Sequence, residues 1–248
     1  MSHFRYRTIF ILILTIAANL SIYASDTTSV ANSSRSSLSL KADVVSRYVW
    51  RGKMLDTHPQ FQPQLEFSTG NFTAGVWGSQ SLTSTYGEVD LFVSYSIKNV
   101  SLTVFDYFYM DEEQLELSKF FDYHMRDSIP SCHTLDATME WKEIYGTGFS
   151  LIASVFFYGD DHDEDLKRRY SNYIGMDYST SFDNLDLTFS LGGSLSKGFY
   201  SDAAAITNIS LKTSRTIPVH ETFPLNLSGT ITFNPKAQNL FFTLGFGI

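Results

Sequence analysis

The feature that most constrains this chain is a sustained alternation of apolar and charged side chains from Leu38 to Trp50. Because the side chains of a β-strand point to opposite faces in turn, one face of this segment is apolar and the other is charged. The charged face carries Lys41, Asp43, Arg47 and Arg51. The segment is slightly longer than the roughly 9–11 residues of a tilted membrane-spanning strand. The pattern predicts one long strand whose two faces meet different surroundings.

The same period of two recurs along the chain and predicts twelve strands. An even number of antiparallel strands brings both chain ends to the same side, as in bacterial outer-membrane barrels. The odd-numbered connections are long and often acidic and the even-numbered ones are short, apart from residues 214–222, which is typical of outer loops and periplasmic turns. The predicted strands contain residues 38–50, 61–68, 72–76, 88–97, 100–104, 134–141, 149–157, 174–178, 185–191, 209–211, 225–233 and 240–248.

The amino-terminal region predicts an exported protein with one folded domain. Arg5 and Arg7 precede a short apolar run that ends in small residues near Ala24, which is the pattern of a cleaved secretory signal peptide over residues 1–24. Residues 25–37 are too polar to bury a core and predict a flexible leader. Residues 38–248 then form the predicted β-barrel.

Charge and cysteine content exclude some functions. Loss of Arg5 and Arg7 with the signal peptide leaves 16 basic residues against 26 acidic ones, a net charge near −10. Such a chain is a poor partner for nucleic acid, which attracts basic surfaces. Cys132 is the only cysteine, so no intrachain disulfide can form, and no cofactor is expected.

The placement of the apolar faces separates two kinds of barrel. A lipocalin-type soluble barrel turns its apolar face inward, whereas a membrane barrel turns it toward lipid. Tyr48, Trp50 and Phe61 near one end and Trp141 at the other predict two interfacial girdles of aromatic residues. We therefore expect a transmembrane antiparallel up-and-down β-barrel in the bacterial outer membrane. Its expected partners are membrane lipid, lipopolysaccharide and the barrel assembly machinery.

Several segments resemble the Gcw_chp family of uncharacterised bacterial proteins, which are assigned to the outer membrane. The resemblance covers most of the chain after residue 37. It implies location and fold, and it implies no activity, because none is established for the family. The segments are "ADVVSRYVWRG" (42–52), "GVWGS" (75–79), "EVDLFVSYSI" (88–97), "LTVFDYFY" (102–109) and "PLNLSGTITFNPKAQNLFFTLGFGI" (224–248).

The charged faces predict a narrow channel for small neutral or cationic solutes. A barrel of twelve strands has a lumen between the filled interior of about 8 strands and the wide channel of roughly 16–18. Carboxylates outnumber basic groups on the predicted lining, which disfavours anions. The alternative is a structural or surface-binding barrel whose lumen is plugged by paired charges. The residues predicted to line the lumen and set selectivity are Lys41, Asp43, Arg47, Arg51, Glu66, Glu88, Asp90, Asp136 and Glu140.

Two further hypotheses have less support in the sequence. An outer-membrane hydrolase needs a nucleophile beside an oriented histidine, and Cys132 and His133 point to opposite faces of a strand, so no enzyme is expected. Asp161, Asp163 and Asp165 have the spacing of calcium ligands, but the loop lacks the glycine and the glutamate of an EF-hand. A solvated acidic loop beside lipopolysaccharide is the favoured reading of these aspartates.

Overall fold

The computed structural model describes residues 36–111, 115–116, 118–124, 131–220 and 223–248, and it is all-β apart from one short 3-10 turn. Twelve antiparallel strands follow one another around a closed up-and-down barrel, as the alternation predicts. Among the described residues, no helix is long and apolar enough to cross a membrane.

The strand bounds place two short strands between the first and second barrel strands. β1 and β4–β14 form the barrel, and β2 and β3 form a separate two-stranded hairpin. The strands are β1 (Ser36–Val45), β2 (Tyr48–Trp50), β3 (Lys53–Asp56), β4 (Gln60–Thr69), β5 (Phe72–Ser81), β6 (Tyr86–Ile97), β7 (Val100–Asp111), β8 (His133–Trp141), β9 (Phe149–Gly159), β10 (Asn172–Phe182), β11 (Leu185–Ser194), β12 (Ala205–His220), β13 (Phe223–Asn234) and β14 (Asn239–Gly247).

The barrel closes where β1 pairs with β14. β1 pairs with β4 over its whole length, from Ser36 opposite Thr69 to Val45 opposite Gln60. Its ladder with β14 covers only Asp43–Val45, because the chain leaves the wall after Ser46 and β14 ends at Gly247, opposite Asp43. Gly247 lies opposite Asp43, and a Cβ at position 247 would overlap the Asp43 carboxylate. The glycine thus leaves room for a carboxylate at the seam.

The outward face of the wall is apolar and the inward face is polar. Val93, Leu102 and Phe242 lie at alternate outward positions with 49%, 58% and 53% of their surface exposed. Thr103, beside Leu102, points inward and donates a hydrogen bond to Ser94 across the β6–β7 ladder. A water-soluble fold buries such apolar residues, so a continuous apolar outer wall indicates apolar surroundings.

Three predicted boundaries are wrong. The predicted strand 38–50 ends at Val45, and Tyr48 and Trp50 belong to the hairpin instead of an outer girdle. The predicted periplasmic link 214–222 is mostly strand, since β12 runs to His220 and β13 begins at Phe223. β1 begins at Ser36, which takes two residues from the predicted leader, while the signal peptide and the rest of the leader lie outside the described residues.

Candidate functional site

The β2–β3 hairpin lies inside the barrel and is the structure's main departure from a plain pore. Trp50 pairs with Lys53, so Arg51 and Gly52 form a two-residue turn, and both have positive φ, 50° and 82°. Such a turn fits the right-handed twist of a hairpin and favours glycine. A Cβ at position 52 would also overlap the backbone carbonyl of Thr207. The turn is therefore fitted closely against the inner wall.

Two buried side chains of the wall hold the turn in place. Thr207 on β12 donates its hydroxyl to the Arg51 carbonyl at 3.2 Å. Asn234 on β13 donates its amide to the Gly52 carbonyl at 2.9 Å. These bonds satisfy backbone acceptors that the turn would otherwise bury unpaired.

Arg51 carries a buried charge across the lumen to the opposite wall. Its Nη1 lies 3.5 Å from Asp136 Oδ2, 2.7 Å from Ser154 Oγ and 2.5 Å from Tyr200 Oη. The Asp136 side chain is fully buried, and 9% of the Arg51 side chain is exposed. Tyr107 also donates to Asp136 Oδ2, at 3.1 Å. A buried charge needs such partners, so this network fixes the hairpin inside the barrel.

Aromatic rings enclose the Arg51 guanidinium and fill the lumen around it. The guanidinium carbon lies 4.6 Å from the ring of Trp50, 4.8 Å from that of Tyr173 and 5.6 Å from that of Tyr200. Cation–π attraction of this kind strengthens when water is excluded. Trp50 itself stacks near Phe156, with ring centroids 6.4 Å apart. The hairpin therefore acts as an apolar and charged plug, which we call the hairpin plug (residues 48–56).

A second group of predicted lumen residues lies beside the plug on β6. Tyr86 donates its hydroxyl to Glu88 Oε2 at 2.6 Å, and Tyr48 of the plug packs edge-on against Tyr86. Asp90 is buried, 6% exposed, and faces the position of Trp77 across the β5–β6 ladder. Arg47, in the bend before the plug, has a buried Nε without a hydrogen-bond partner in the described structure. Glu88 and Asp90 thus lie beside the aromatic residues Tyr86 and Trp77.

The remaining predicted lumen residues lie toward the other end of the barrel. Lys41 and Asp43 lie on the inward face of β1, opposite Gln64 and Gln62 of β4. Glu66 accepts a hydrogen bond from Gln64 at 3.1 Å, and Glu140 pairs with Lys142 at 3.2 Å. Lys41 and Asp43 are exposed although they point inward, which indicates that this half of the lumen contains space for water.

Sequence reasoning missed the partners that hold Arg51. Tyr107 and Tyr173 lie just outside the predicted strands 100–104 and 174–178, on strands that the structure extends to Val100–Asp111 and Asn172–Phe182. Continuing the period of two beyond the predicted bounds would have placed both side chains in the lumen. Tyr200 belongs to a connection between strands and offered no such pattern. Arg51 itself was expected on a barrel strand, whereas it occupies the turn of the hairpin plug.

The outer end of the plug is anchored by one carboxylate, Asp56. Its oxygens accept hydrogen bonds from Ser84 Oγ at 2.7 Å, Gln60 Nε2 at 2.7 Å and the His58 backbone amide at 3.0 Å. Burial alone would raise the pKa of Asp56, but these hydrogen bonds outweigh burial and hold its pKa well below the ordinary value of 3.8. The ionised carboxylate therefore ties the end of the plug to the barrel rim.

A segment of the third outer connection folds over the outside of the wall. We call residues 118–124 the strap. Asp106 and His133 share the outward face of β7 and β8 with Leu102, yet His133 is fully buried beneath the strap. His133 Nδ1 lies 2.7 Å from Asp106 Oδ1, and its Nε2 lies 2.6 Å from the carbonyl oxygen of Phe120.

His133 joins the strap to the wall through both imidazole nitrogens. The Phe120 carbonyl can only accept, so Nε2–H donates to it, and Nδ1 is in hydrogen-bond contact with Asp106. Tyr123 donates to the other oxygen of Asp106 at 2.7 Å, and burial and that bond raise the pKa of Tyr123 to about 12. Both imidazole nitrogens are engaged by the strap and the wall, which is the geometry of a clamp.

The three candidate calcium ligands serve their own loop. Asp161 accepts bonds from the amide and hydroxyl of Ser171, Asp163 accepts the amides of Asp165 and Lys167, and Asp165 lies 3.4 Å from the Lys167 ammonium. Within the described ranges, no group of three histidine, cysteine or acidic residues is arranged to hold a metal ion.

The fold and the plug define the class of this protein, a closed twelve-stranded β-barrel with a hairpin inside. No protein-family model and no curated protein matches the chain, so the resemblance to the Gcw_chp family stays a prediction. One solved chain, from a study of the in-meso crystallisation of membrane proteins, aligns with 84% of this chain and 82% of its own length. It is 9% identical, with a TM-score of 0.47.

The low pKa of Asp56 predicts that acid weakens the anchor of the plug. A carboxylate whose pKa is lowered by folding stabilises the fold above its ordinary pKa, and this contribution is lost as pH falls through the lowered value. We expect Asp56→Asn to unfold at a lower temperature than wild type at pH 7, and the difference to shrink below about pH 4. A difference that stays constant with pH would contradict this role.

The clamp predicts that His133 keeps the strap closed against proteolysis. His133→Gln leaves either the Asp106 carboxylate or the Phe120 carbonyl without its hydrogen-bond donor. An unpaired buried acceptor lowers the stability of the closed strap by about 1–3 kcal/mol. We expect trypsin to cleave after the exposed Lys119 about tenfold faster, because cleavage follows the population of the open strap. His124→Gln is the matched control, since His124 lies on the strap with its side chain 81% exposed. Equal cleavage of both variants would show that the clamp does not hold the strap.

Proposed function

We propose that this protein is a bacterial outer-membrane β-barrel that acts as a gated, narrow channel for small neutral or cationic solutes. The observation that carries the proposal is the hairpin plug, which is held inside the barrel by Arg51 and its partners. A closed barrel pairs the backbone of its wall strand to strand, as a spanning structure must in lipid. The apolar outer wall is the surface that such a location requires.

Displacement of the plug provides the gate in this proposal. The plug is tied to the wall at its turn by Thr207 and Asn234 and at its outer end by the Asp56 carboxylate. All these ties are hydrogen bonds or ion pairs, which are discrete and reversible. An alternative, a permanently plugged structural barrel, rests on the same contacts and differs only in whether they break in the native state.

The charge of the open half supports the solute class. Asp43, Glu66, Glu140 and Asp177 lie there with Lys41, Lys142 and Lys212, and an excess of carboxylates disfavours anions. In this proposal Arg51 and Asp136 contribute no net charge while the plug is closed, because they pair with each other.

Single-channel recording in planar bilayers tests the gate. Removal of one partner from a buried ion pair costs about 3–5 kcal/mol, which exceeds the roughly 1.4 kcal/mol of a tenfold change in population. We expect wild-type protein to be closed for most of the record, and Arg51→Ala to raise the open probability at least tenfold. Arg215→Ala, which removes an arginine from β12 away from the plug, should match wild type.

The same recordings decide between the alternatives. A reversal potential measured under a potassium chloride gradient should show a preference for potassium over chloride in the open variant. If correctly folded Arg51→Ala stays silent, the gated channel is overturned and the permanently plugged barrel is favoured.

A pair of neighbouring substitutions on β11 tests the location in lipid. Leu191 points outward with 43% of its surface exposed, and Ser190 points inward opposite Asp177. Arginine near the middle of a lipid-facing wall costs about 2–4 kcal/mol. We therefore expect Leu191→Arg to reduce the free energy of unfolding in lipid vesicles by this amount. Ser190→Arg should reduce the free energy of unfolding much less. Equal costs for the two variants would argue against a lipid-facing wall.

A further inference from the structure

A cavity of about 560 Å³ opens at the outer mouth of the barrel above the hairpin plug. Its size lies within the roughly 300–1,000 Å³ of small-molecule sites. The plug supplies Lys53 and Met54, the β11–β12 connection supplies Lys197 to Asp202, and β14 supplies Phe241. The cavity is therefore built from the plug and the wall together.

Three cationic side chains line this cavity in a chain of net charge −8. They are Lys53, Arg169 and Lys197, and within the described part of the chain none forms an ion pair with a carboxylate. Asp202 is the acidic residue of the lining, and it pairs with Lys236 at 2.8 Å. The charge of Arg169 also acts on Asp160 and Asp163, which lie outside the lining. The cavity thus presents a local excess of positive charge.

Lys53 is held by contacts that leave its charge without a counterion. Its ammonium donates to the Phe199 carbonyl at 3.0 Å and lies 3.6 Å from the centre of the Phe199 ring. Burial and the positive charge of Arg169 lower the pKa of Lys53. Two like charges near each other in a partly buried site are costly, and an anion between them would relieve that cost.

Apolar surface lies beside the cations. Phe241 is buried, and Phe199 and Met54 also face the cavity. A ligand that is only an inorganic ion would leave this surface uncovered, whereas an organic anion can place a carbon skeleton against it.

We propose that this cavity binds a small organic anion carrying phosphate or carboxylate groups, recognised by Lys53, Arg169 and Lys197. Arginine and lysine are the side chains that bind such groups through charge-assisted hydrogen bonds. The cavity opens within the mouth of the barrel and not on the apolar outer wall, so a soluble anion reaches it more directly than a lipid headgroup does.

Binding would also act on the plug, and this second step rests on the proposed channel function. Lys53 belongs to β3, and its bond to the Phe199 carbonyl joins the plug to the β11–β12 connection. An anion that contacts Lys53 of the plug together with Arg169 and Lys197 of the connections bridges the plug to the wall. A ligand favours the state that contains its complete site, so the anion favours the closed plug, while the solute path behind the plug keeps its own preference.

Calorimetric titration of the purified protein in detergent micelles tests the site. The probes are glucose 6-phosphate and citrate, with glucose and ethanolamine as neutral and cationic controls. We expect saturable binding of the anions only, weakened at high salt because salt screens exposed charges. Lys53→Gln, Arg169→Gln and Lys197→Gln should each weaken binding about tenfold, the size of one charged hydrogen bond.

Lys167→Gln is the matched control, since it removes the same charge from the outer surface at a lysine paired with Asp165. Equal weakening by this variant would show that only the overall charge matters and would overturn the site. Absence of saturable binding by either anion would also overturn it. Binding of phosphatidylglycerol micelles without binding of the soluble anions would replace the soluble ligand with a lipid headgroup.

Bilayer recordings with and without glucose 6-phosphate separate this site from the proposed channel. Anion binding in a protein whose Arg51→Ala variant stays silent would retain the site and reject the channel. A decrease in the open probability of Arg51→Ala on addition of glucose 6-phosphate, which disappears when Lys197→Gln is combined with Arg51→Ala, is the result expected if both proposals hold. A conducting Arg51→Ala variant with no anion binding would retain the channel and reject the site.

Discussion

Closure of the sheet is the constraint on which the rest of the structure depends. An open sheet would leave rows of unpaired backbone groups at its two edges, and pairing of β1 with β14 joins the two edge strands. The seam uses only Asp43–Val45 of β1, because the chain turns inward after Ser46 and β14 ends at Gly247, opposite Asp43. The same bend that shortens the seam directs the hairpin plug into the lumen. One change in chain direction thus ends the seam and begins the plug.

The sequence predicts the barrel well because its wall obeys a single local rule. Period-two alternation identifies all twelve barrel strands, since each residue's face follows from its position alone. The rule fails at Val45, where the alternation passes without interruption from β1 into β2. Both are extended segments, so they share one period, and the bend between them carries no glycine or proline. A pattern of side chains cannot report whether a strand joins the wall or fills the lumen.

The candidate site could be predicted only in part, for a related reason. Charged residues such as Arg51 and Asp136 were recognised as inward-facing, but their pairing joins positions 85 residues apart in the chain. A count of acidic and basic residues treats each as a free charge on the lining. In the structure the charges of Arg51 and Asp136 neutralise each other. Arg51 also donates a hydrogen bond to Tyr200, which belongs to the connection between β11 and β12. The electrostatic character of the lumen therefore depends on contacts that composition does not contain.

The hairpin plug separates two charged regions of the barrel. The outer mouth carries Lys53, Arg169 and Lys197, whereas the other half carries both signs, with Lys41 beside Asp43 and Glu66. In a continuous water-filled path, the high dielectric constant of water would weaken the interaction between the two groups of charges. Arg51, Asp136 and the surrounding aromatic rings separate them with a layer of low net charge. Because Lys53 belongs to the plug itself, the charge of the outer mouth and the position of the plug cannot change independently.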